Sequence, residues 1–321
     1  MKKVFILAIV LSIAVTFALA EGSVLDSGRA WTAVTNTTFD RLTDIHAIAF
    51  GDGKFVAGGY NKITYSSDGV TWTAVAKSVW LNGVEAIAYG GGKFVTGVNY
   101  VTRGNLINTI AYSSDGVTWT RAANSPFTNS INAIAWGNDK FVAGDISGKI
   151  AYSSDGVTWT AVTSPFPLRI TAIGWGGGKF VAAGDGYVAS SSDGITWTTA
   201  VKDAAFDSFT SAIAYGNNKF VAVGGYGELG YSSDGVTWTA VKKPNNPFYP
   251  ISIGSVVYAN NKFYAGWAYG KMAYSYDGIT WTAVKDSAFG TVSSDVALAI
   301  AYGNGKFVAV GGSGKMAYLE D

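Results

Sequence analysis

Two short patterns of apolar and polar positions alternate along this chain and recur to its end. The first, at residues 86–95, reads Ala-Ile-Ala-Tyr-Gly-Gly-Gly-Lys-Phe-Val, and its Lys-Phe step returns at Lys54, Lys93, Lys140, Lys179, Lys219, Lys262 and Lys306. The second, at residues 65–73, reads Tyr-Ser-Ser-Asp-Gly-Val-Thr-Trp-Thr, with its Asp at Asp68, Asp115, Asp155, Asp193, Asp234 and Asp277. Successive Asp residues lie 47, 40, 38, 41 and 43 positions apart. Each repeat reads as four strands. Strand A is the Ala-Ile-Ala-Tyr-Gly run. A Gly- or Asn-rich turn leads into strand B, Lys-Phe-Val-Ala-Val-Gly. A variable loop leads to strand C, ending Tyr-Ser-Ser. Asp-Gly then turns the chain into strand D, Val-Thr-Trp-Thr. Asp-Gly between alternating strands predicts a type I′ hairpin, which needs positive φ at both central residues. Four-stranded units spaced about 40–45 residues apart are the signature of propeller blades. The expectation is an all-β, seven-bladed β-propeller with four antiparallel strands per blade.

The seventh copy of the second pattern is split between the two ends. Tyr318-Leu319-Glu320-Asp321 aligns with its start, and Ser27-Gly28-Arg29-Ala30-Trp31-Thr32 with its remainder. The last blade should therefore take strands A to C from the C-terminus and strand D from the N-terminus. This joint closes a ring and removes two sheet edges. A β-solenoid, the competing repeat architecture, has no use for it.

The first 20 residues do not share the pattern. Met1-Lys2-Lys3 is a short basic start, Val4 to Phe17 is nearly unbroken apolar sequence, and Ala18-Leu19-Ala20 offers small residues before a cut. This predicts a secretory signal peptide cleaved after Ala20, followed by one propeller domain over 21–321. A retained anchor is the alternative, although the run is short for a span of roughly 20 residues. A secreted, periplasmic or cell-surface location follows, with no membrane span after cleavage.

Composition then narrows the chemistry. Setting aside Lys2 and Lys3, the 23 basic residues fall to 21 against 22 acidic ones. A nucleic-acid binder normally shows a basic excess, so none is expected as a partner. There is no Cys, which excludes thiol chemistry, thiolate metal sites and a lipid anchor on Cys. The 41 Gly, 11 Trp, 18 Tyr and 17 Phe fit many tight turns around aromatic cores. The single His, His46, lies at the start of strand A of the first repeat; Glu85, Asn132, Thr171 and Ser211 hold its place elsewhere. It reads as a tolerant polar position, and one His cannot build a multi-histidine metal site. No cofactor or catalytic constellation is expected.

The second pattern resembles the Asp-box of bacterial-neuraminidase-type repeats, written Ser-x-Asp-x-Gly-x-Thr-Trp, found in sialidases, sortilin-type receptors and related propellers. Asp68, Gly69, Thr71 and Trp72 match it in type. Asp and Gly are adjacent here, where the family motif spaces them by one. The resemblance implies that the Asp residues and Trp31, Trp72, Trp119, Trp159, Trp197, Trp238 and Trp281 serve folding. A sialidase is disfavoured: only five Arg exist, none in the family's Phe/Tyr-Arg-Ile-Pro setting.

Function should then sit where the repeat breaks. A–B and C–D turns share one face and are repetitive; the B–C and D–A loops share the other and vary. The D–A loops carry one aromatic each, Phe39, Trp80, Phe127, Phe166, Phe206, Phe248 and Phe289, read as packing between blades. Non-repeating residues of the B–C loops are the candidate ligand contacts: Tyr100, Arg103, Tyr187, Tyr226, Glu228, Trp267 and Tyr269. Aromatic faces with scattered carboxylates and Arg suit a glycan or a protein or peptide ligand. The expectation is a non-catalytic, monomeric binding or scaffold propeller. The alternative is a glycosidase-like enzyme with paired carboxylates at the channel mouth, for which Asp145, Asp185, Asp207 and Glu228 are available.

Overall fold

The structure is a computed structural model that describes residues 30–76, 83–102, 105–292, 294 and 296–321. The signal segment, the Ser27–Arg29 portion of the split motif, Trp80 and Arg103 lie outside the described residues. Seven four-stranded antiparallel sheets form the fold. Strand A of successive blades is Ile45–Gly51, Gly83–Gly90, Ile131–Gly137, Ala172–Gly176, Thr210–Gly216, Ile253–Ala259 and Ala297–Gly303. Each strand A packs on the next, and that of blade 7 packs on that of blade 1, so the ring is closed around a channel. Blade 7 draws Ala297–Gly303, Lys306–Gly311 and Met316–Glu320 from the C-terminal end and Thr32–Ala33 from the N-terminal end. Thr32 pairs with Tyr318 and Ala33 with Ala317, and the Val34 amide adds a bond to the Met316 carbonyl.

One aromatic pair repeats inside every blade. The aromatic near the end of strand A meets the Phe that opens strand B, with ring centroids 4.5–4.7 Å apart, from Phe50–Phe55 to Tyr302–Phe307. Such cross-strand pairs add to the area they bury. The same strand-A aromatic also lies over the backbone of the preceding blade. A Cβ on Gly137 would sit 2.2 Å from Trp175, and one on Gly176 would sit 2.0 Å from Tyr215. In six blades glycine ends strand A, where the neighbouring ring occupies the space of a side chain; blade 6 ends in Ala259.

Turn chemistry departs from the sequence expectation. The type I′ turns are the A–B turns: Asp52-Gly53, Asn138-Asp139, Asn217-Asn218 and their equivalents have positive φ at both central positions. At the Asp-Gly turns only the Gly has positive φ, 75° at Gly69, and six residues separate strand C, Lys62–Ser66, from strand D, Thr73–Ala74. Ser66 explains the difference. Its hydroxyl donates to the Asp68 carboxylate and accepts the Gly69 amide, while Asp68 Oδ1 accepts the amides of Val70 (2.8 Å) and Thr71 (2.7 Å). The side chains supply the turn's hydrogen bonds in place of a hairpin ladder. The same set recurs around Asp115, Asp155, Asp193, Asp234 and Asp277.

Behind each turn the strand-D Trp closes its blade. Trp31, Trp72, Trp119, Trp159, Trp238 and Trp281 are buried, and four of them donate Nε1–H to the turn glycine's carbonyl. Trp197 is only half-buried. Blade 4 has one extra residue, Thr198-Thr199 where others have a single Thr, so its strand D is displaced to Val201–Lys202. The described D–A aromatics are all buried, and Phe206 stacks edge-on against Trp238 of the following blade at 5.4 Å.

Candidate functional site

One position at the start of strand A is where every blade differs. It is His46, Glu85, Asn132, Thr171, Ser211, Gly254 and Leu298 in turn, in front of an almost invariant Ala-Ile-Ala run. In six blades this residue sits at a β-bulge: Ile45 pairs with Gly59 and Ala47 with Gly58, leaving His46 outside the ladder. The same register shift flanks Glu85, Asn132, Ser211, Gly254 and Leu298. A bulge re-aims a side chain and frees it from the alternation of the strand. All seven residues line one cavity of about 680 Å³ at the end of the channel. D–A loop residues Asp44, Arg169, Phe209 and Ser252 and the B–C residue Ala268 complete it, so this is the variable-loop face.

The cavity is divided. Blades 1 to 5 contribute the polar arc. His46 Nδ1 lies 2.8 Å from Glu85 Oε2, both side chains 27% exposed. With Nδ1–H donating, Nε2 remains free to accept while the ring is neutral. The hydrogen bond to Glu85 raises the His46 pKa; burial opposes the shift, and the charges of Glu85 and Asp44 support it. Asp44 Oδ1 accepts the Ser313 amide from the B–C turn of blade 7. Thr171 Oγ1 donates to the Thr210 carbonyl at 2.5 Å, bridging blades 4 and 5. Arg169 is already paired, its Nε 2.6 Å from Asp185 Oδ1, with its guanidinium over the Phe209 ring. Asn132 Oδ1 is buried with no partner among the described residues. Blades 6 and 7 contribute an apolar arc: Ile253, Val256, Val296, Leu298 and Ile300.

The loop residues singled out by sequence fall into three groups. Tyr226 and Tyr269 are exposed, 70% and 41%, on the B–C turns of blades 5 and 6. Both sit in the left-handed region, with φ of 52° and 62°, a conformation that costs a bulky residue about 1–2 kcal/mol. Tyr226 also borders a second cavity of about 520 Å³ with Tyr249, Lys242 and Lys243. Tyr187 is half-buried and opens strand C of blade 4. Tyr100 lies in strand B of blade 2, its backbone opposite Ile107.

Two residues of the third group correct the surface reading. Trp267 is 2% exposed and ends strand B of blade 6 with its ring 4.1 Å from Phe248, in the core between blades 5 and 6. It is the sixth strand-B position, pointing between blades and not out of the loop. Glu228 accepts the amides of Asp207 (2.8 Å) and Ser208 (2.9 Å) from the preceding D–A loop. Lys62 and Lys315, its counterparts in blades 1 and 7, donate instead to carbonyls of their own preceding loops, Thr38 and Phe289. Glu228 performs the same tether with its polarity reversed. Burial raises its pKa, against the two amide bonds, which lower it. Asp145, also considered as a carboxylate, is fully buried and folds its own turn through Ser147 and Lys149.

The opposite rim is stitched between blades. Asn138 donates to the Ser192 carbonyl of the next blade, Asn217 to Tyr276, Asn304 to Ser67, and Lys179 to the Asp234 carbonyl. Among the described residues, no group of three His, Asp or Glu is placed to hold a metal ion, and no helix is long and apolar enough to cross a membrane.

Residues 81–207 match the family described as the DUF6242 beta propeller domain. Curated protein sequences return no match. Among solved structures the chain is similar to YCF48 from Cyanidioschyzon merolae, at 17% identity and TM-score 0.63 over 91% of this chain and 98% of that one. It is also similar to YCF48 bound to D1 peptide, at 14% identity and TM-score 0.66 over 91% and 97%. Virginiamycin B lyase from Staphylococcus aureus matches at 14% identity and TM-score 0.69 over 91% and 99%. At such identities the likeness is one of fold.

Proposed function

We propose that this chain is an exported binding propeller that takes a protein or peptide segment on its variable-loop face, over the channel mouth. One observation carries the reading. The column that breaks an otherwise repeated strand A is the column whose seven residues, five of them polar, line a single cavity with an apolar side. Concave sites lined by apolar groups with a few placed polar ones are the usual form of a ligand pocket. The strained Tyr226 and Tyr269 stand on the same face, and strain retained at exposed aromatics fits a role in contact. A peptide is also what one fold-level match holds, YCF48 with D1 peptide. The six Asp-box-like turns and their Trp belong, in this reading, to folding. Export rests on Lys2, Lys3, the apolar run and the Ala18-Leu19-Ala20 site.

A second reading has its own observation. Asp44 and Glu85 are two non-repeating carboxylates at one mouth, as an acid–base enzyme requires. Both are engaged, Asp44 by the Ser313 amide and Glu85 by His46, which favours recognition over proton transfer to a substrate. The test is panning of a randomised peptide display library on the mature protein. Enriched peptides should lose binding to Ser211→Trp, which fills the mouth, and keep it with Lys179→Ala and Lys219→Ala on the opposite rim. Enrichment that survives Ser211→Trp, or no enrichment at all, overturns the reading. Mass spectrometry of protein recovered outside the cytoplasm should find Glu21 as its first residue.

A further inference from the structure

The mouth cavity has a charge and shape that restrict what can fill it, and this inference rests on the peptide-binding reading above. Its polar arc carries two carboxylates and an unpartnered amide oxygen. Glu85 Oε2 faces His46, the Asp44 carboxylate is held by one amide, and Asn132 Oδ1 is buried with no partner. The one guanidinium at the rim, Arg169, is neutralised by Asp185 at 2.6 Å. An anionic ligand would meet two carboxylates with no free cation among the described lining residues. A wholly apolar ligand would leave Asn132 Oδ1 without a partner, which is costly for a buried polar group. Across the cavity Val256, Leu298 and Ile300 offer apolar surface.

We propose that the cavity seats one cationic side chain, lysine or arginine, of the bound segment. Its alkyl stem lies against Val256, Leu298 and Ile300, and its charged head lies among Glu85, Asp44 and the Asn132 side-chain carbonyl. Long cationic side chains carry both surfaces needed, an apolar stem and a donor-rich tip. His46 then tunes the site. The charged groups facing its ring are Glu85 and Asp44, with the Arg169–Asp185 pair across the mouth; blade 7 presents the uncharged Leu298. Protonated His46 already satisfies Glu85 and repels a second cation. Neutral His46 still donates Nδ1–H to Glu85 but carries no charge, and leaves the negative charge of the carboxylates to the ligand. Binding therefore tightens as pH rises through the His46 pKa, and the bound cation lowers that pKa in return.

Because His46 is the only histidine of the chain, one imidazole signal of the untagged protein reports the site without assignment. The probes are the peptides enriched by panning, each resynthesised with norleucine in place of every lysine or arginine in turn. One replacement per peptide should weaken binding at pH 8 at least tenfold. Glu85→Gln should remove that difference between the cationic peptide and its norleucine form. The cationic peptide, and not its norleucine form, should shift the His46 titration to lower pH. Peptides that bind the mouth equally well with norleucine throughout, or an unmoved His46 titration, overturn the cation site and leave the peptide-binding reading standing. An absence of any mouth-binding peptide overturns both. Folding of Glu85→Gln is checked by its melting curve; if it fails to fold, Asn132→Leu serves in its place, with the same tenfold loss of the cationic preference expected and an unchanged preference overturning the proposal.

Discussion

The two faces of this ring are built from the same strands but under opposite rules. On one face each blade repeats its neighbour: a type I′ A–B turn, a Ser-Asp-Gly C–D turn, and side chains reaching to the next blade's carbonyls, as from Asn138 to Ser192. On the other face the B–C loops differ in length and the residue that starts strand A toward the mouth, bulged in six blades, differs in every blade. A position filled seven times by one residue answers a need that recurs seven times, and closure of a symmetric ring is such a need. A position filled by seven different residues is free of that need. Departure from the repeat is still not enough to mark a contact. Trp267 departs and is core; Glu228 departs and ties down a loop.

The largest test of the repeated half is its joint. A chain lacking residues 1–36 loses strand D of blade 7 and Trp31, which is 4% exposed and packs edge-on against Tyr264. It should leave the Met316–Glu320 strand as an open edge, lose cooperative melting and aggregate. A melting curve matching that of residues 21–321 would show that the ring does not depend on this closure.

Next come the tryptophans, which separate face from burial. Trp159→Ala and Trp267→Ala remove rings that are each 2% exposed, one behind a repeated turn and one on the variable side. Each should cost about 3–5 kcal/mol in denaturant unfolding, and Trp267→Ala should leave peptide affinity near wild type at temperatures where it is folded. Half-buried Trp197, whose Nε1 has no partner, should cost no more than about 1–2 kcal/mol on truncation. Equal losses at 159 and 197 would break the link between register and burial.

The turns should show in acid. Burial opposes the charge of Asp68 and Asp115, but amide bonds from Thr71 and Thr118, from Val70 and Val117, and the Ser hydroxyls hold both pKa values at about 2. The Asp234 pKa also falls to about 2, led by the Thr237 amide. A carboxylate with a depressed folded pKa contributes stability above its unfolded value, near 3.9, which is lost as pH falls through the folded value. Unfolding free energy should decline from about pH 4 toward pH 2. Asp155→Ala should remove roughly 1 kcal/mol at pH 7, as loss of a comparable cap does. A flat profile across that range would mean these turns are not held by ionised Asp.

Blade number, strand order and closure were legible because a period, a split motif and an alternation each state them in residues. The turn types were not. Asp68-Gly69 has the composition of a hairpin turn, yet Ser66, two residues earlier, draws the Asp into a side-chain-capped turn instead. The Asn- and Gly-rich A–B turns carry the primed geometry. The channel-mouth column stood in plain view as His46, Glu85, Asn132, Thr171 and Ser211, but its variety gave no sign that these residues meet at one cavity. Nothing in a residue's type announces a bulge, so the step that turns this column from the strand face into the mouth had no sequence signal. The direction of Trp267 was hidden in the same way: its place as the sixth residue of strand B, not its kind, sends it between the blades.

The smallest effect is the sharpest probe of the variable face. Tyr226 holds φ 52° on the B–C turn of blade 5; in blade 7 the equivalent residue is Ser313, at φ 58°, and in the two-residue turn of blade 1 the left-handed position belongs to Asn61, at φ 57°. Asn enters this region at little cost, whereas a ring on Cβ adds crowding. Tyr226 recovers little of that cost by packing, since 70% of it is exposed. Tyr226→Asn should therefore raise stability by about 0.5–1 kcal/mol, the low end of the left-handed penalty relieved. If the tyrosine is kept for contact, the same variant should bind enriched peptides more weakly. Gain of stability with loss of affinity is the expected pair, measured by denaturant unfolding and by titration calorimetry on one preparation. Gain of stability with affinity unchanged would remove Tyr226 from the binding face and confine recognition to the channel mouth.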